Sequence, residues 1–94
     1  MNLEATFEKF EDEYGNFKLV ADPLHARPDL CAFLLLDKLL PGNRDLISVA
    51  EHDEIFLDVD IEALSRVASE QDILTLARCG VRLDRGLSSL AMFV

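Results

Sequence analysis

The chain predicts an α+β fold. Helices are segregated from paired antiparallel strands in the order α, α, β-hairpin, α, α, β-hairpin, and a sheet of about four strands packs against the helices. Three observations carry this reading. An N-terminal stripe repeats with helical spacing. Two stretches, Leu46–Asp60 and Val81–Val94, alternate with the period of a strand. Between them, Asp60, Ser69 and Gly80 sit where helices start and stop. With 94 residues, half of them apolar, the chain is one domain, 1–94, with enough greasy side chain for a core.

Leu3, Phe7, Phe10, Tyr14 and Phe17 are spaced 4, 3, 4 and 3, the stripe of a helix. Gly15-Asn16 is a stop signal, so that helix is expected to end near Tyr14. A helix of about 11 residues is marginal alone in water and must dock on its own domain or on a partner subunit. Lys18–Asp29 reads as a connector in which Lys18–Ala21 can form a short strand; both X-Pro steps disfavour helix. His25 is expected in an exposed loop. Pro28 suits the first position of a second helix, which runs to about Leu40 and stops at Pro41-Gly42-Asn43. That helix is apolar nearly all round, with Asp29, Asp37 and Lys38 its only charges. It is therefore expected to be buried on more than one side, either at the centre of the fold or against a second copy.

In the following hairpin, Ile55, Leu57 and Val59 point to one face, and Glu54, Phe56, Asp58 and Asp60 to the other. Glu51 opposite Glu54 would be an unfavourable cross-strand pair, and His-Asp is not a favoured two-residue turn, so a four-residue loop Glu51–Glu54 is expected. The alternative is a short helix over Arg44–Ala50, with a strand only at Glu54–Val59. Asp60 caps a third helix with the stripe Ile61, Leu64 and Val67/Ala68. Ser69 starts a fourth, with Asp72 where a capping box usually has Glu, Ile73, Leu76 and Ala77 inward, and Gly80 at its end. Val81–Asp84 and the final run from Leu87 form the second hairpin around Arg85-Gly86. The last strand has Leu90, Met92 and Val94 on one face and Ala91 and Phe93 on the other. It is expected to be covered on both faces or paired at its edge.

Net charge is −9, from 18 acids and nine bases. From Asp45 to Asp72 nine acids meet one base, Arg66, a net −8; the last 22 residues carry Arg78, Arg82 and Arg85 against Asp84, a net +2. A field of this sign repels phosphate backbones and anionic lipid, so direct nucleic-acid and membrane binding are not expected. The longest apolar run, Leu30–Leu36, is far short of the ~20 residues a bilayer requires. No basic region followed by an apolar run opens the chain, so no secretory leader is expected. Cys31 and Cys79 fall in predicted helices and are expected to be reduced core thiols in a cytoplasmic protein.

No catalytic constellation, cofactor motif or zinc ligand set emerges. The serines lack a nucleophile elbow, the four glycines sit at turns and caps, and the cysteines form no CxxC pair. The one polar cluster is Glu51, His52, Asp53, Glu54 and Asp58; with Phe56 on the same strand it is the expected partner-binding surface. Three readings of function follow. The first is a small, acidic, non-enzymatic protein-interaction domain that forms a homodimer, because the second helix, the last strand and the N-terminal stripe offer more apolar surface than one small core absorbs. The second is an acidic decoy or regulator that occupies a basic, nucleic-acid-binding surface on another protein. The third is a small metal-assisted enzyme centred on His52.

Overall fold

In a computed structural model, residues 1–42, 45–86 and 88–93 are described. Their elements are α1 (Leu3–Lys9), 3₁₀ turns at Glu11–Glu13 and Phe17–Leu19, α2 (Pro28–Leu39), β1 (Ile47–Glu51), β2 (Glu54–Leu57), α3 (Ile61–Val67), α4 (Glu70–Arg78), β3 (Val81–Asp84) and β4 (Ser89–Phe93). The fold is α+β, in the order the sequence predicts. The sheet is antiparallel throughout, with strand order β1-β2-β4-β3.

Local chemistry explains most boundaries. The Asn2 side chain accepts from the Ala5 amide at 3.0 Å and starts α1. Pro28 occupies the first turn of α2. Asp60 accepts from Ala63 at 3.1 Å to start α3. Ser69 and Asp72 form a reciprocal capping box at α4, with bonds of 3.1 and 2.9 Å. Replacing Asp60 or Ser69 by alanine is expected to lower stability by about 1 kcal/mol each, read as a shift in urea midpoint at constant slope.

The N-terminal third departs from the sequence reading. α1 ends at Lys9 rather than near Tyr14, because the Phe10 amide is shared between the Thr6 and Phe7 carbonyls and the next turn tightens to 3₁₀. Gly15 adopts φ +77° and donates to the Ala77 carbonyl of α4 at 3.0 Å; a side chain would strain that left-handed backbone. The strand expected at Lys18–Ala21 is instead the turn Phe17–Leu19. Its backbone is satisfied locally, Leu19 donating to Asn16 and Val20 to Phe17, while Arg78 takes the Leu19 carbonyl at 3.3 Å. Arg78 also binds Glu13 at 2.9 Å and so holds both 3₁₀ turns to α4.

The hairpin is corrected too. Ile47–Glu51 is a strand, which excludes the helix for that part of Arg44–Ala50. The turn has two residues, His52-Asp53, with His52 at φ +49° and Glu51 directly opposite Glu54. The like-charge pair is tolerated because Arg82, reaching across β4 from β3, binds the Glu54 carboxylate. Asn43 of the expected helix stop, Arg44 of the alternative helix, and Leu87 and Val94 of the final run lie outside the described residues.

One face of the sheet, with Ile55, Leu57, Val81, Leu90 and Met92, joins Leu3, Cys31, Leu35, Leu36, Leu64, Ile73 and Leu76 from the helices in a single core. β4 is paired on both edges; Leu90 and Met92 lie in the core, while on its other face Ala91 is buried and Phe93 is 57% exposed beneath the Arg82 guanidinium. No described helix is long and apolar enough to cross a membrane.

Candidate interaction surface

The six residues expected to bind a partner do not form one surface. Glu51, His52 and Asp53 sit together, exposed, at the hairpin tip. Glu54 is half-buried and ion-paired to Arg82. Phe56 faces away from the main core, as strand alternation requires, but is only 8% exposed, in register between Val49 of β1 and Ala91 of β4. Asp58 is exposed just past the other end of β2, roughly 13 Å along the strand from Glu54. Among the described residues no group of three or more His, Cys, Asp and Glu side chains is placed to hold a metal ion. His52 is at the tip, whereas Cys31 and Cys79 are in the core, so His52 forms no dyad with either thiol. Instead the two thiols neighbour each other across the α2–α4 contact. Burial above all, and then Cys31, push the Cys79 thiol up from 9.0 to about 12. They are inert packing groups at neutral pH.

Exposed apolar surface lies elsewhere. α2 buries Cys31, Ala32, Leu35 and Leu36 but leaves Leu30 37% and Leu34 46% exposed. Within one copy α2 is therefore not buried all round: it packs against α4 and the core, with Phe33, Leu39 and Leu40 half-buried, and leaves Leu30 and Leu34 to solvent. Beside the two leucines, the half-buried Phe33, Leu40 and Leu46 line a groove of about 220 Å³. Leu46 leads into β1, an edge strand exposed along its whole length. Ile47 is opposite Leu57 and Val49 opposite Phe56, so a bulge at Ser48 turns these two side chains to opposite faces. Both are nearly half exposed.

A larger groove, about 420 Å³, runs between α1 and the β3 side of the sheet past Phe7, Phe10, Tyr14 and Phe93. Several of its charges are paired: Arg85 binds Glu4 at 3.4 Å and also Glu8, and Arg82 lies 4.4 Å over the Phe93 ring while holding Glu54, with one Arg82 guanidinium nitrogen buried and without a hydrogen-bond partner. On the α2 face, among the described residues, Arg27 pairs with Asp29 at 3.0 Å. The signal for this face is in the sequence once Pro28 sets the helix start: Leu30 and Leu34 fall on the side opposite Cys31, Ala32 and Leu35. Comparison of the chain with protein-family models, curated proteins and solved structures finds no match.

Proposed function

We propose that the chain is a non-enzymatic protein-interaction domain that acts as a homodimer. The observation that carries this reading is the outer face of α2: two leucines one turn apart, exposed, and continuous with Leu46 and the open edge of β1. Solvating such a face costs roughly 25 cal/mol for every Å² of apolar surface left in water, and covering it recovers that free energy. A cytoplasmic setting suits the two reduced, buried thiols. Sedimentation equilibrium through the micromolar range tests the reading. The expected particle is twice 10.6 kDa; a monomer throughout that range contradicts it.

The hairpin tip supports a second role on the same domain. Glu51 and Asp53 are exposed side by side within the acidic middle of the chain, which favours a basic partner. Association with that partner is expected to weaken steeply with added salt, and salt-insensitive capture would count against it.

A further inference from the structure

We propose that two copies join by packing α2 antiparallel on α2, about a two-fold axis at the level of Ala32, with Arg27 of each copy against Asp37 of the other. The inference rests on the homodimer reading above and specifies its interface.

Arg27, Leu30, Leu34 and Asp37 are spaced 3, 4 and 3. At about 100° per residue they share an arc of roughly 80° on α2. All four are exposed, and the arc is opposite the side that meets α4. The stripe is symmetric about position 32: Leu30 and Leu34 are two residues from it, Arg27 and Asp37 five. Reversing a second copy on the first therefore places Leu30 on Leu34 twice, at the centre, and Arg27 on Asp37 twice, at the ends. This is the self-complementarity that a two-fold interface demands.

The two charges point the same way. Arg27 is the N-cap of α2, at the positive end of the helix dipole, and Asp37 is in the last turn, at the negative end. Each is misplaced for a lone helix. In an antiparallel pair each meets both an opposite side chain and the opposite dipole end of the neighbour. The Arg27 guanidinium pairs within one copy with Asp29 at 3.0 Å, an exposed contact that leaves it able to turn outward. A chain of net charge −9 opposes a second copy in general, but this arc carries one cation and one anion matched to its own reverse, with the exposed Lys38 at its edge. Phe33 and Leu46, both half-buried, line the groove beside it and extend the covered area. The whole patch is smaller than the ~20–30 residues a side of a standard interface, so a micromolar dissociation constant is expected.

Sedimentation velocity of four proteins tests this: wild type, Leu34→Glu, Asp37→Arg and Arg27→Asp/Asp37→Arg. Leu34→Glu is expected to abolish association while circular dichroism stays native, since Leu34 is nearly half exposed. Asp37→Arg moves the net charge from −9 to −7. General repulsion alone would then tighten the dimer, whereas the proposal expects it to weaken, roughly ten-fold for two lost exposed pairs. The double exchange keeps −9 and re-forms both side-chain pairs, but sets each charge against the like end of the neighbour's dipole, so it is expected to restore most, not all, of the affinity lost in Asp37→Arg. A dimer unaffected by Leu34→Glu, or weakened by Asp37→Arg and not restored by the double exchange, overturns this interface and leaves the homodimer reading standing. A wild-type monomer overturns both.

Discussion

Replacing Leu76 by alanine is expected to lower the unfolding free energy by roughly 2–5 kcal/mol. Leu76 is fully buried on α4, the helix against which α1, α2, β3 and both 3₁₀ turns pack. A cavity there is shared by several packed elements, and close-packed neighbours relax into it only in part. Against a total of about 5–15 kcal/mol for a domain of this kind, the loss is a large fraction. Urea denaturation at fixed protein concentration measures it. Leu34→Ala, on the outer side of α2, is the control: in the monomer it is expected to change stability little, because its side chain already meets water. Equal losses at the two positions would contradict the placement of the core.

The second large effect is alkaline. The Cys79 thiol is pushed up from 9.0 to about 12 in the fold, first by burial and then by Cys31. Above pH 9 the unfolded chain gives up this proton and the folded chain keeps it. The stabilisation is therefore complete below pH 9 and declines as pH rises toward 12, by about 1.4 kcal/mol per pH unit from this group. Tyrosine and lysine titrate in the same window, so the comparison that isolates the thiol is Cys79→Ala, whose stability is expected to fall less steeply between pH 9 and 12. Parallel slopes for the two proteins would contradict the assignment. At neutral pH, both thiols of the wild type are expected to resist a disulfide reagent until denaturant is added.

Much of the framework was legible in the sequence because it is written in local chemistry. Asp60, Ser69 with Asp72, and Pro28 satisfy or forgo the first amides of their helices wherever the helices pack. The period-two pattern of Ile55, Leu57 and Val59 required one buried face, and these residues are in the core. The failures are places where a distant residue decided the outcome. The Phe10–Leu19 segment is shaped by Arg78 and by the Ala77 carbonyl, some 60 residues away, and the helical stripe at Tyr14 does not encode them. The two-residue turn was disfavoured by Glu51 facing Glu54, a local argument that Arg82 overrides from the far strand. Phe56 reads as outward, and it is outward, yet the sheet places Val49 and Ala91 beside it and leaves it little contact with water. The bulge at Ser48, which turns Ile47 and Val49 to opposite faces, has no glycine to announce it.

The acidic hairpin was the natural candidate for a partner-binding site on charge alone. The structure divides it between an exposed tip, an internal ion pair and a buried ring, and moves attention to a helix face selected by geometry. There the spacing of four residues, not the size of a charge cluster, is the informative quantity.

The most direct measurement is a filtered NOE experiment on a sample mixed from isotope-labelled and unlabelled copies, with the methyl groups of Leu30 and Leu34 assigned. Cross-peaks between Leu30 of one copy and Leu34 of the other are expected. A dimeric sample whose only contacts between copies arise from Val49 or Phe93 would contradict the α2 interface.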